Sequence, residues 1–155
     1  LSVFRYFFYQ VGNKQAAEDL TSEVFVRMLG SIGNYRPRIV PFEAWLFKIA
    51  RNLVADYYRS KKYVHQLPLD EDTPASDVSV TTFVEGQLTS ERLFNAMGSL
   101  NQSQRDVIIL RFVNRSPISQ VAKMMNKSEN SIKGLQRRAL LSLRETLTAG
   151  EVKDV

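Results

Sequence analysis

The chain has 155 residues, 44% hydrophobic and 24% charged, with 21 Lys and Arg against 16 Asp and Glu for a formal net charge of +5. Zero cysteines exclude disulfides, thiolate metal sites and cysteine nucleophiles, and a single histidine cannot build a histidine-rich metal centre or most acid–base dyads. The charge is laid out in blocks: residues 1–65 hold 10 basic against 5 acidic side chains, residues 66–95 hold 1 against 6, and residues 96–155 hold 10 against 5. Two basic blocks around an acidic connector predict two small domains with separate polyanion-binding surfaces, nucleic acid being the leading partner.

No apolar run approaches the roughly 18 residues needed to span a bilayer, and Val3–Val11 is interrupted by Arg5 and Gln10 without a cleavage pattern after it. Neither membrane insertion nor export is expected, and a reducing cytoplasm fits. The chain opens at Leu1 without a methionine, partway into a helical pattern, so a further N-terminal piece is expected.

Val3, Phe4, Phe7, Phe8 and Val11 recur at helical spacing, and Gly12-Asn13 supplies a stop. From Ala16 to Leu29 the apolar set Ala17, Leu20, Val24, Phe25, Met28 and Leu29 predicts a second helix, with Glu18 and Asp19 in its first turn where they complement the helix dipole. Gly30 to Pro41, with two Gly, two Pro and Asn34, reads as a structured loop. Phe42, Trp45, Leu46, Ile49, Leu53 and Tyr57 then mark one long helix to about Lys62, roughly 31 Å at 1.5 Å per residue. Gln66 to Thr82 lacks periodicity and reads as a flexible linker.

Helical spacing returns over Phe83–Leu100 and Ser103–Val113. Ser116-Pro117 then reads as the cap and first position of a helix carrying Ile118, Val121, Ala122 and Met125. Asn126-Lys127-Ser128 breaks it, and Ser128 caps a last helix with the buried stripe Ile132, Leu135, Ala139 and Leu143. No sustained strand-like alternation appears, so the fold class is all-α: residues 1–65 and 85–149 as two small helical domains joined by an acidic linker over 66–84.

Two constellations carry function. The pair of short helices from Ser116 to Arg144 has the outline of a helix-turn-helix, and Ser131, Lys133, Gly134, Arg137 and Arg138 lie opposite the buried stripe of the second. There Lys and Arg would neutralise phosphates while Ser131, Lys133 and Gly134 meet base edges; the competing account is a helical hairpin with a solvated basic face. On the long helix, Lys48, Arg51, Asn52, Asp56 and Arg59 gather on one side with Tyr57, Tyr58 and Tyr63 at its basic end. Stacking aromatics and backbone-tracking cations suit single strands, whereas Trp45 is better explained as core. His65 has no second ligand and reads as a surface histidine. Glu18, Asp19 and Glu23 suit either a protein-binding surface or plain helix solvation.

Ala17-Glu18-Asp19-Leu20-Thr21 with Val24-Phe25, followed by the run Phe42 to Arg59 (FEAWLFKIARNLVADYYR), resembles region 2 of the extracytoplasmic-function sigma factors of bacterial RNA polymerase. Leu100, Arg105-Asp106-Val107, Leu110-Arg111-Phe112, Val121-Ala122 and Ser131-Ile132-Lys133 through Leu143-Arg144 resemble region 4. The resemblance implies a cytoplasmic transcription-initiation factor without chemistry or cofactor of its own, bound to core RNA polymerase and promoter DNA, with an anti-sigma factor as a further partner in many members. It implies that Glu18, Asp19, Thr21 and Glu23 lie on the helix that docks the polymerase. It also implies that Lys48, Arg51, Asn52, Asp56, Arg59 and Lys62 engage the melted −10 element, Asn52 foremost, with the loop Ile32–Pro41 as a pocket for a flipped base. Ser131, Lys133, Gly134, Arg137 and Arg138 would read the −35 duplex, and the linker would thread through the polymerase. Gln120 where Glu is usual, Pro117 at the helix start and Asn101 where Pro is common depart from the family pattern, implying altered local packing or partner contacts. A helix-turn-helix regulator that binds duplex DNA alone is the alternative; Asn52 among basic and aromatic residues argues against it.

Overall fold

The computed structural model describes residues 2–66 and 84–151. The expected linker therefore falls almost wholly outside the described residues. Among those described, seven α-helices and no strand occur: α1 (Val3–Val11), α2 (Lys14–Ser31), α3 (Phe42–Gln66), α4 (Val84–Met97), α5 (Gln102–Ile108), α6 (Ile118–Met125) and α7 (Glu129–Glu151).

The local chemistry sets most of the boundaries. Gly12 ends α1 in the left-handed conformation (φ 69°), returning its amide to the Phe8 carbonyl at 2.8 Å. Asn13 caps α2 by accepting from the Ala16 amide at 2.8 Å. Because α2 starts at Lys14, Glu18 and Asp19 lie beyond the first turn, not in it as expected. Nor does Gly30 break the helix: α2 runs to Ser31 and continues as a 3₁₀ turn over Ile32–Asn34, so the irregular stretch shrinks to residues 35–41. α3 is likewise longer than expected, 25 residues ending at Gln66.

Asn101 supplies a reciprocal cap for α5, its side chain accepting from Gln104 N at 2.9 Å while the Gln104 side chain accepts from Asn101 N at 3.3 Å. This gives the departure at Asn101 a physical role. α5 then widens into a π-helical turn over Ile109–Val113, closed by the Asn114 amide on the Ile109 carbonyl at 2.9 Å. Ser116 is not the cap of α6. It is buried, its carbonyl accepts from Arg111 Nη1 at 2.8 Å, and Pro117 takes the cap position with extended backbone. Asn126 ends α6 in the left-handed region (φ 52°), and Ser128 Oγ accepts from the Ser131 amide at 3.1 Å to start α7.

α1 packs on α2 and α3, while α4, α5 and α6 gather around α7. The halves also meet, α1 against the π-turn and α3 against α6, and the buried side chains of both form one continuous core. Two expected stripes are corrected accordingly. On α1, Phe4 and Phe8 are more than a third exposed, whereas Tyr6 and Gln10 are buried. On α2, Phe25 and Leu29 are exposed at 43% and 65%, leaving Ala17 and Val24 as its fully buried contribution.

Candidate nucleic-acid interface

The two basic faces differ in how open they are. On α7, Ile132 and Ala139 are fully buried and Leu143 nearly so, which turns Ser131, Lys133, Arg137 and Arg138 into solvent. Gly134 is half-buried beneath Arg138: a Cβ built there would stand 3.3 Å from Arg138 Nη1. The missing side chain leaves room for the guanidinium to lie close over this turn of the helix. Ser131 Oγ accepts from Ser128 Oγ at 3.0 Å, so the first turn of α7 is a tied polar end.

The face on α3 is divided. Asn52 and Arg59 are exposed, and Lys62 lies in the last turns of the helix. Asp56 is not a lone acid: Arg27 of α2 donates to it at 3.4 Å and Arg59 pairs with it, so it ties α2 to α3 and fixes Arg59. Tyr57 carries the Lys61 ammonium over its ring at 5.0 Å, and Tyr58 donates its hydroxyl to the Gln10 carbonyl. Both rings therefore have partners within the fold, and the Tyr63 and His65 side chains lie outside the described residues.

Arg51 departs furthest from expectation. Its Nε lies 3.0 Å from Asp106 Oδ2 and its Nη2 donates to Ser103 Oγ at 3.3 Å, both residues of α5. Asp106 is fully buried. Its Oδ1 accepts from Tyr6 Oη at 2.8 Å, Gln10 Nε2 at 2.8 Å and Gln102 Nε2 at 2.9 Å. Oδ2 has the Arg51 charge close by but no well-aligned hydrogen bond. Desolvation outweighs the Arg51 charge and the three donors, pushing the Asp106 carboxyl up to about 6. Burial, then the adjacent carboxylate, raise the Tyr6 hydroxyl well above its ordinary value. Sequence periodicity missed Tyr6, Gln10 and Asp106. The available signal was their place beside apolar stripes, Asp106 one position before Val107 and four before Leu110.

In the loop expected to capture a flipped base, the Tyr35 ring stacks on Trp45 at 4.6 Å with Phe42 edge-on at 5.8 Å, and Tyr35 Oη donates to the Val40 carbonyl at 3.0 Å. Trp45 is half-buried and Phe42 43% exposed, so this cluster forms a partly open aromatic shelf. The end of the loop, Ile39 to Pro41, instead borders a groove of about 670 Å³ whose far wall is Lys123 to Asn126 of α6.

On α2, Glu18, Asp19 and Glu23 are exposed, while Thr21 is half-buried and spends its hydroxyl on the Ala17 carbonyl at 2.6 Å. Glu23 is held by Arg27 at 3.0 Å, and that hydrogen bond is the main cause of a raised Arg27 pKa. Phe25, Val26 and Leu29 form an exposed apolar ridge on the same helix as the acidic residues.

The Sigma-70 region 2 family model matches residues 2–63, and the Sigma-70 region 4 model matches residues 96–145. The chain is 31% identical over 149 residues to the ECF RNA polymerase sigma factor SigX of Bacillus subtilis, covering 92% of this chain and 76% of SigX. The chain belongs to the ECF RNA polymerase sigma factors. It is also 39% identical over 148 residues to the ECF sigma factor BldN of Streptomyces coelicolor, covering 94% of this chain but only 56% of BldN. Its fold matches that of the sigma factor RpoE of Bartonella quintana, solved in complex with the anti-sigma factor NepR, with a TM-score of 0.69 at 22% identity over 95% of this chain and 90% of RpoE. In sigma-factor terms, α1 to α3 are region 2 and the helices from the end of α4 into α7 are region 4. A region 2 match across the whole N-terminal half does not favour a regulator that binds duplex DNA alone. No helix among the described residues is long and apolar enough to cross a membrane.

Proposed function

We propose that this chain directs core RNA polymerase to specific promoters, with residues 1–65 and 85–149 acting as separate DNA-contacting units joined through 66–84. The exposed face of α7, Ser131, Lys133, Gly134, Arg137 and Arg138, reads the −35 duplex. Lys48, Arg51, Asn52, Arg59 and Lys62 of α3 engage the melted −10 strand, Asp56 serving to hold Arg59. The polymerase docks on α2, where the ridge of Phe25, Val26 and Leu29 supplies apolar contact and Glu18 and Asp19 supply charge, while Thr21 and Glu23 act mainly within the fold. The factor acts in the cytoplasm, performs no bond chemistry, and is open to control by an anti-sigma factor, as RpoE is held by NepR in its solved complex. Tethering two weak contacts to one polymerase raises effective concentration without adding contacts.

The observation that carries this reading is the presence in one chain of an open, cap-anchored basic helix in region 4 and a second polar face around Asn52 in region 2. The deciding experiment is promoter-dependent transcription with purified core polymerase, with and without the chain. Failure to bind core, together with tight independent binding to duplex DNA, would sink the reading. Asn52→Ala should lower open-complex formation and Arg137→Ala should mainly weaken −35 binding; equal effects on duplex affinity would contradict the division of labour.

A further inference from the structure

Asp56 is a carboxylate on a face otherwise suited to phosphates. Asn52, Asp56 and Arg59 recur at i, i+4 and i+7 on α3, so they share one stripe, and a lone acid there would repel a nucleic-acid strand. Two guanidiniums share it instead: Arg59 of its own helix on Oδ1, and Arg27 of α2 on Oδ2 at 3.4 Å. Arg27 is itself divided, its Nε donating to Glu23 Oε1 at 3.0 Å while its Nη1 reaches Asp56. Glu23, Arg27, Asp56 and Arg59 thus form one chain of alternating charge that runs from α2 onto the stripe of α3.

The members of this chain are not equivalent. Arg59 keeps 75% of its side chain in solvent and gives only Nη2 to Asp56, which leaves its other donors for a phosphate. Paired with Arg59 alone, the Asp56 carboxylate would cancel the Arg59 charge and turn with it. With Arg27 on its second oxygen, the carboxylate is fixed in orientation and its charge is balanced from α2, so Arg59 is aimed and still cationic. Bridging two carboxylates from separate nitrogens of one planar group is a property of arginine that the single ammonium of lysine does not reproduce.

We infer that Arg27 is a positioning residue for strand binding: held by Glu23, it fixes Asp56, and Asp56 in turn presents Arg59 to the melted −10 strand. The role in strand binding rests on the assignment of α3 to that strand; the hold of Arg27 on Arg59 does not.

Two measurements on the full chain test these parts separately. In ¹⁵N-labelled protein, the heteronuclear NOE of the arginine Nε–H signals reports how firmly each guanidinium is fixed. The Arg59 value should fall in Arg27→Lys and Arg27→Gln, while that of Arg51, bound to Asp106 and Ser103, stays unchanged. A fluorescent dT20 strand titrated at several salt concentrations reports binding. Arg27→Lys keeps the charge, so it should preserve the salt slope yet lower affinity about two- to fivefold, the range expected for an exposed ion pair. In an Arg59→Ala background the same substitution should be silent, because nothing remains to be positioned. An unchanged Arg59 signal in both Arg27 variants overturns the hold. A loss from Arg27→Lys that persists in full beside Arg59→Ala, or no loss where Arg59→Ala itself weakens binding, overturns the positioning role. If Arg59 is loosened as expected but Arg59→Ala leaves strand affinity unchanged, or no form binds dT20, the hold stands and the strand-binding assignment of α3 fails.

Discussion

The Tyr6 hydroxyl donates to Asp106 at 2.8 Å across 100 residues of sequence, joining the first helix of region 2 to the first turns of the region 4 core. Both side chains are inaccessible to solvent. A hydrogen bond to a buried charge contributes roughly 1.5–3 kcal/mol, because its loss leaves the charge undersatisfied with no water to replace the donor. Tyr6→Phe removes one oxygen and creates no cavity, so it should lower unfolding free energy by about that amount in urea titration. A change of only a few tenths would show that Asp106 does not depend on this donor.

The Asp106 carboxyl titrates near 6 when buried, against an ordinary 3.8, and burial is the largest cause. The groups facing it are Arg51 from α3, Tyr6 and Gln10 from α1, and Gln102 from its own helix. Because the folded value is raised, the closed fold binds a proton more tightly than the unfolded chain. The associated stabilisation is fully present below about 3.8 and is lost as pH rises through about 6, by up to ~3 kcal/mol. Urea midpoints between pH 4 and 8 should therefore fall for the wild type relative to Asp106→Asn, which lacks the titration. The opposite slope would refute the assigned cause.

Gly134 separates stability from recognition. Alanine in a helix interior is favoured over glycine by about 1 kcal/mol, and the contact it would make is with the mobile end of Arg138. Gly134→Ala should therefore raise the melting temperature while weakening −35 duplex binding, because Arg138 loses its seat. Arg137→Ala should leave stability unchanged and reduce the salt slope of duplex binding by about 1. Thermal melts beside anisotropy titrations at several salt concentrations test both.

The exposed ridge on α2 yields a prediction about the polymerase. Leu29 is 65% exposed and Val26 64% exposed, so neither contributes much to the core. Leu29→Glu should leave the unfolding curve within about 0.5 kcal/mol of the wild type yet reduce core-polymerase binding at least tenfold in a pull-down or anisotropy assay. Retained binding would move the docking surface elsewhere.

Much of this molecule was legible from residue order. Ile132, Ala139 and Leu143 occupy the buried side of α7 as their spacing predicted, Gly12 ends α1, and Ser128 caps α7, because each depends on neighbours three or four residues away. The exposed basic face of α7 follows from the same stripe by exclusion. Apolar spacing misplaced Phe4, Phe8, Phe25 and Leu29 because it reports which residues could be buried together, without reporting how much partner surface exists to cover them. The cap of α6 shifted by one because Ser116 is buried against the π-turn, its amide donating to the Leu110 carbonyl at 2.9 Å and its carbonyl accepting from Arg111 at 2.8 Å.

The sequence by itself determined an all-helical chain with two basic helices, since periodicity, caps and charge are properties of short segments, and the resemblance of its motifs added their sigma-factor order. Tertiary structure decided which of those basic residues are free. Arg51 shares a helix face with Asn52 and Arg59, but in the fold it alone of the three pairs with the buried Asp106. A pairing between residues 51 and 106 is a non-local event with no period or spacing to announce it, and it is enforced only when a buried carboxylate must find its partners.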